Sequence, residues 1–303
     1  MPTRRTFMSV STLAMASVTT SSLSSFAAAR DPVPDRKAPK FKLSLAAYSY
    51  RDQLAPKKGK PTMDLHGFIE ECAAMQLDGA ELTGYYMPAE PDEAYLRDLR
   101  AHCFRAGLSV SGTATRNEFG WPPSHENHKK EIDHVKKWID YAYQLHAPTL
   151  RIFAGHPQLK NDEASTHAWM VQSMKEAARY AGEKGVYLGL ENHGGPTETA
   201  DGLLKLIHDV DSPWLGANLD TGNFRGDEDP YTQMEKVAPY AVNAQVKVVL
   251  PTKAGKVPMD YKRVASILRK ANYRGYVVLE YEEPGDVAAE CRKAIAELRN
   301  ALQ

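Results

Sequence analysis

The chain of 303 residues is 43% hydrophobic and 25% charged, the make-up of a globular protein with room for one barrel-sized core. Its 38 basic and 38 acidic side chains cancel and no long basic run occurs, which argues against nucleic acid or an anionic lipid surface as a partner. Cys72, Cys103 and Cys291 lack metal-type spacing and fall in helical patterns, so buried thiols are expected rather than a disulfide framework or a zinc module.

In chain order, the first feature is Arg4-Arg5, followed by a stretch without charge from Thr6 to Ala29 that closes on Phe26-Ala-Ala-Ala29. Paired arginines before a moderately apolar run, with Ala27 and Ala29 in a small-x-small pattern, predict a twin-arginine export signal over residues 1–29. Residues 30–40 then read as a linker, the expected location is the periplasm or outside the cell, and no membrane attachment is expected once the signal is removed. A frayed helix or a membrane anchor is the alternative. The short apolar run and the Asp31-Pro-Val-Pro34 that follows weigh against it.

From Phe41 onward, β-rich runs alternate with amphipathic ones. Strands are expected at Leu43 to Tyr48, Gly79 to Leu82, Leu108 to Gly112, Thr149 to Phe153, Val186 to Leu190, Leu215 to Leu219, Val242 to Val248 and Gly275 to Leu279. Between them, helical patterns cover Asp64 to Gln76, a segment opening at Pro91-Asp92-Glu93, His125 to Leu145, Glu163 to Lys184, Asp260 to Lys270 and Asp286 to Leu302. Eight strands suffice to close a parallel barrel, so the fold class is α/β, a single (β/α)8 TIM barrel over residues 41–303. A doubly wound open sheet is the rival, and no Gly-x-Gly-x-x-Gly follows the first strand to support it.

A parallel barrel delivers chemistry at the C-terminal ends of its strands. There the chain offers Glu81 on the second strand, Thr115 and Arg116 after the third, and Arg151 and His156 on and after the fourth. The fifth offers Glu191 and His193, the sixth Asp220 and Asn223, the seventh Gln245 and Lys247, and the eighth Glu280 and Glu282. Three carboxylates in one cavity repel each other unless a positive charge stands among them. A divalent cation held by Glu191, Asp220, Glu280 and the amide oxygen of Gln245 would meet that need. This oxygen-rich set favours Mn²⁺ or Mg²⁺, and His193 or His156 would tilt it toward Mn²⁺, Co²⁺ or Zn²⁺.

Plainer roles stand beside these. An acid after a strand also serves as a helix cap, and His193 and His156 suit hydrogen bonding to substrate at least as well as ligation. Lys247 lies two residues after Gln245 and shares its face, where it can hold an oxyanion, neutralise a carboxylate or make a surface ion pair. Glu81 and Arg151 can fill polar layers inside the barrel, while Tyr85, Tyr86 and Trp121 can stack on a sugar ring or cover the mouth.

The runs Gly189-Leu-Glu-Asn-His193, Asn218-Leu-Asp-Thr-Gly-Asn223, Gln245-Val-Lys247 and Leu279-Glu280 resemble the xylose isomerase-like barrel superfamily, the sugar isomerases and epimerases with their endonuclease IV relatives. In its ketose 3-epimerase branch the fifth to eighth strands supply Glu, Asp, His and Glu to one Mn²⁺-type ion, and Glu191, Asp220 and Glu280 match the first, second and fourth. Gln245 stands where that branch has His, and Asn223 where a substrate- or metal-binding His is common. The resemblance implies a metal-dependent sugar isomerase or epimerase, Mn²⁺ being the first expectation. Proton abstraction next to a carbonyl would pass through an enediolate, with Glu191 and Glu280 as base and acid. Substrate contacts are expected from His156, His193, Asn223, Lys247, Arg116 and Glu81 at and after the strand ends. Alternatives are a 3-keto-glycoside β-elimination lyase on the same scaffold and a non-catalytic periplasmic carbohydrate-binding barrel. A small carbohydrate is the expected partner, a homo-oligomer is compatible, and nucleic acid is not expected.

Overall fold

The computed structural model describes residues 41–160 and 162–303, so the expected export signal and linker lie outside the described residues. Ten strands are present among them: β1 (Lys42–Ala46), β2 (Gly79–Thr83), β3 (Ser109–Ala114), β4 (Thr149–Ile152), β5 (Tyr187–Glu191), β6 (Leu215–Asp220), β7 (Ala241–Val246), β8 (Val249–Thr252), β9 (Gly255–Pro258) and β10 (Tyr276–Leu279). All but β8 and β9 close into a parallel barrel in the order β1-β10-β7-β6-β5-β4-β3-β2. The eight expected strands are therefore the eight staves, each within a few residues of its expected ends. The antiparallel β8–β9 hairpin is an addition that the alternation did not announce; it turns at Gly255, whose φ of 118° suits glycine.

The helices are α1 (Arg51–Leu54), α2 (Leu65–Ala74), α3 (Glu93–Arg105), α4 (Glu126–Leu145), α5 (Glu163–Lys184), α6 (Ala200–Val210), α7 (Pro230–Val237), α8 (Tyr261–Lys270) and α9 (Val287–Leu302). Seven of them begin alike: Asp64, Asp92, Asp162, Thr199, Asp229, Asp260 and Asp286 accept a first-turn backbone N–H at 2.8–3.2 Å. Each cap contributes about 1 kcal/mol and fixes where the loop leaving the strand must end. Those acids are thus structural, whereas the acids at the strand ends remain for other work.

Along each strand, alternate residues face the helices and the barrel axis. The outward set, with Leu45, Leu82, Leu150, Leu188, Leu190, Leu219, Val246, Val277 and Leu279, is buried in one continuous apolar core under the helices. The axis is polar instead. Ser44 and Ser111 share a 2.6 Å hydrogen bond, and above them lies a closed network around Glu81. Gln245 Nε2 and Asn243 Nδ2 donate to the two Glu81 oxygens at 2.7 and 2.8 Å, Asn218 Nδ2 donates to Gln245 Oε1 at 2.7 Å, and Asn243 Nδ2 also reaches Asn218 Oδ1 at 2.8 Å. A buried carboxylate so supplied with donors is satisfied without a cation.

Candidate active site

This network corrects two expectations. Gln245 does not turn its amide oxygen to the strand ends, because Asn218 already donates to that oxygen and the amide nitrogen is spent on Glu81. Glu81, 1% exposed, lies in the same layer and does not line the cavity where a substrate would sit. The cause is the register: Gln245 pairs with Val278 and Val246 with Leu279, so the next step along both strands brings Lys247 beside Glu280. Gln245 therefore belongs one layer below the mouth, and Lys247 to the mouth itself.

At that upper level, three buried carboxylates meet two buried cations. Lys247 Nζ is 3.0 Å from Asp220 Oδ2, in contact with Glu280 Oε2, and 3.2 Å from Glu282 Oε2. Arg151 Nε is 2.9 Å from Glu191 Oε2, while its two other nitrogens donate to Thr115 O at 2.7 Å and Tyr85 Oη at 2.6 Å. The guanidinium also lies 4.0 Å over the Phe153 ring. Asn223 Nδ2 donates to Glu191 Oε1 at 3.0 Å. Asp220 Oδ1 accepts from Gly222 N at 2.7 Å; its Oδ2 has the ammonium close by but off the line of a directional hydrogen bond. Asn192 clamps the Asp220 backbone, donating to its carbonyl at 2.8 Å and accepting from its N–H at 2.9 Å. Gly222 leaves space for the lysine stem, since a Cβ there would stand 2.6 Å from Lys247 Cγ.

The electrostatics follow from burial. Desolvation pushes Glu191 up to about 8, opposed by Arg151 and assisted by Asp220 and Glu280. Asp220 is pushed up to about 6 by burial, with Lys247 opposing. Burial works against the Lys247 charge as well, but Asp220, Glu280 and Glu282 outweigh it and hold the ammonium well above its ordinary range. Burial and the Arg151 charge lower His193, which keeps its ring neutral at neutral pH.

Above the cluster opens a cavity of about 320 Å³, floored by Glu191, Lys247 and Glu280 and walled by Tyr48, Tyr85, Phe153, Arg116, His193, Asn223 and Glu282. A second hollow of about 200 Å³ adjoins it, sharing Asn223, Lys247 and Glu282 and reaching under the β8–β9 hairpin to Pro251 and Lys256. Of the expected substrate contacts, Arg116, His193, Asn223 and Lys247 line the first cavity. His156 does not; it stands outside among exposed residues, 3.8 Å from Glu118. Tyr85 faces the cavity, whereas Tyr86 packs against the core and Trp121 stacks on His125 at 4.3 Å. Arg151 and Asn192 carry more of the site than their sequence positions suggest; the signal for Asn192 is its place next to Glu191, and for Arg151 its place near the C-terminal end of β4.

The residues do not fit a divalent cation as they are arranged. Among the described residues, no group of three or more His, Cys, Asp or Glu side chains is placed to hold one. Gln245, the expected fourth donor, is engaged a layer below, and Lys247 stands between two of the three expected carboxylates.

A closed eight-stranded parallel barrel surrounded by helices, with an acid-and-cation cluster at its C-terminal mouth, defines a TIM barrel. A family profile described as xylose isomerase-like TIM barrel matches residues 69–301, and the chain belongs to that family. No curated protein sequence gives a significant match. Among solved structures, the chain is similar to D-psicose 3-epimerase from Clostridium cellulolyticum H10, at 17% identity and a TM-score of 0.70 over 87% of this chain and 100% of that one. It is also similar to 3-keto-D-glucoside 4-epimerase from E. coli, at 13% identity and a TM-score of 0.68 over 86% and 100%. A xylose isomerase-like TIM barrel protein from Mycobacterium smegmatis, solved in complex with magnesium, matches at 19% identity and a TM-score of 0.66 over 89% and 100%. At these identities the likeness is one of fold.

Proposed function

We propose that the chain is a carbohydrate isomerase or epimerase that moves a proton next to a carbonyl. The observation that carries this reading is the floor of the 320 Å³ cavity, where two carboxylates, Glu191 and Glu280, flank a fixed ammonium. An enediolate needs a base for the C–H, an acid to return the proton, and positive charge for the developing oxyanion. Glu191, pushed up to about 8, is poised to exchange a proton near neutrality, while Asn223 and Arg151 hold both its oxygens. Glu280 stands at the end of β10, three staves round the barrel from β5, and Lys247 presents the charge. Tyr48, Tyr85 and Phe153 bring aromatic rings to the cavity wall, with Arg116 over Tyr85 and Arg151 over Phe153, and Arg116 and His193 offer donors at the rim. The sugar epimerases among the structural neighbours support a carbohydrate substrate, and an export signal over residues 1–29 would place the reaction outside the cytoplasm.

The adjoining hollow favours a second reading on the same chemistry. With room for another ring beside Asn223 and Glu282, an enolate formed on a 3-keto-glycoside would expel its β-substituent as an alcohol, taking one proton on the leaving oxygen. Both readings are tested by incubating the protein with free ketoses and with 3-keto-glycosides in D₂O and following the carbon-bound protons by NMR. Deuterium at the carbon next to the carbonyl, lost in Glu191→Gln, is the expected result; release of the aglycone assigns the lyase. Sugars that bind without any exchange would overturn the enzymatic reading in favour of a carbohydrate-binding barrel.

A further inference from the structure

We infer that the Lys247 ammonium replaces a divalent cation in this chain, which makes the site independent of metal. Charge balance is the first ground. A divalent ion would bring two positive charges to Glu191, Asp220 and Glu280, and Arg151 and Lys247 bring two to the same three side chains. An ion added to the present set would stand against the buried Lys247 ammonium, a like-charge contact that low-dielectric surroundings penalise. Geometry is the second. The neutral residue at the seventh-strand position, Gln245, is committed to Glu81 and Asn218, and the lysine two residues on fills the level where the acids converge. The third is room built for the side chain: Gly222, at 2.6 Å from Lys247 Cγ for any added Cβ, admits the stem.

The three carboxylates around the ammonium also hold it unequally. Asp220 and Glu280, 0% and 9% exposed in their side chains, hold it from within, whereas Glu282 is 39% exposed and sits at the longest distance, 3.2 Å. An incoming carbonyl oxygen displaces Glu282 and accepts a hydrogen bond from the ammonium, which keeps its proton and serves as a point-charge electrophile on a flexible stem. What the ammonium does for substrate rests on the proton-transfer reading; whether an ion binds does not.

The test uses the purified full chain. Metal content is measured by plasma mass spectrometry, and thermal melts are recorded with Mn²⁺, Mg²⁺ or Zn²⁺ alone and with EDTA, for wild type, Lys247→Met and Lys247→Arg. Expected are less than about 0.1 ion per chain and unmoved melts for wild type and Lys247→Arg, with Lys247→Met gaining a saturable Mn²⁺-dependent rise in Tm. One ion per chain in wild type, lost in Asp220→Asn, would overturn the inference, as would a folded Lys247→Met that takes up no ion. Should Lys247→Met fail to fold, the wild-type and Lys247→Arg measurements decide. Sugar exchange that is absent while the metal results hold would sink the proton-transfer reading and leave the substitution of lysine for metal standing. Where exchange is present, Glu282→Gln separates the substrate role: KM falls or holds if Glu282 competes for the ammonium, and rises severalfold if Glu282 binds substrate.

Discussion

Two layers of the barrel axis, one strand step apart, solve the problem of buried carboxylates in different ways. The lower layer holds a single acid, Glu81, and surrounds it with amides: Gln245 and Asn243 donate, and Asn218 closes the ring. The upper layer holds Glu191, Asp220 and Glu280 and balances them with Arg151 and Lys247 beneath an open cavity. Amides satisfy lone pairs without bringing charge, so the lower layer is closed and inert. Cations leave carboxylates that can still exchange a partner for an incoming group, so the proposed proton transfer is assigned to the upper layer. The parallel register decides which residue falls in which layer, and Gln245 and Lys247, two apart on β7, end up with opposite characters.

The largest expected effect breaks the comparison at its chemical end. Glu191→Gln removes the upper base while keeping shape, and proton exchange into an accepted sugar should fall by about 10³-fold, within the range assigned to general acid–base groups. Glu81→Gln, a change of the same chemistry one layer lower, should leave exchange within roughly tenfold, the normal span of a supporting contact worth about 1.4 kcal/mol. NMR exchange rates on both variants check it, and equal losses would dissolve the distinction between the layers.

Stability should separate them next. Lys247→Met, measured in EDTA, leaves Asp220 and Glu280 buried without their cation and is expected to cost about 3–5 kcal/mol. Gln245→Leu removes one donor to Glu81 and one acceptor for Asn218, and is expected to cost about 1–3 kcal/mol. Urea unfolding of both variants gives the order; a costlier Gln245→Leu would mean that the amide layer is the tighter of the two.

The pH dependence sharpens the same contrast. Desolvation, with the charge of Glu280 adding to it, pushes Glu81 up to about 7 against 4.5 for the free group, while Gln245, Asn243 and Arg151 pull it down. The folded state thus binds this proton more tightly than the unfolded chain does. Its contribution is greatest below about 4.5 and is lost as pH rises toward 7. The loss amounts to about 3 kcal/mol at most, at ~1.4 kcal/mol per tenfold in proton affinity. Glu81→Gln should flatten that part of the stability curve between pH 5 and pH 8. Unfolding at both pH values checks it, and an unchanged slope would place the titration in Glu191 and Asp220, which are also raised.

How far these layers can be read from sequence follows from what periodicity reports. Alternation gives the face of a strand residue, so it puts Gln245 and Lys247 inside, and eight apolar runs suffice for the barrel. It does not give height along the axis, which depends on the offset between β7 and β10 and therefore on residues far apart in the chain. For that reason Gln245 and Glu81 read as mouth residues. The β8–β9 hairpin is not legible because Val249–Thr252, largely half-buried, and Gly255–Pro258, exposed, are short and carry no alternation. Helices α6 and α7 went unanticipated although both have capped starts at Thr199 and Asp229, since each follows a polar loop that masks its beginning. Cys72, Cys103 and Cys291 are buried free thiols, as their helical settings implied.

The smallest expected effect tests how firmly the upper layer is held from its rim. Tyr85 Oη accepts from Arg151 Nη2 at 2.6 Å, but the same guanidinium keeps Thr115 O and Glu191 without it. Tyr85→Phe removes one charge-assisted hydrogen bond next to a cavity that water can enter, so the stability loss should stay near 1 kcal/mol. Exchange should slow only severalfold, mostly through KM, since the aromatic ring at the cavity wall remains. A loss as large as that of Glu191→Gln, seen in kcat rather than KM, would mean that Arg151 is positioned chiefly by this hydroxyl and that the balance of the upper layer depends on it.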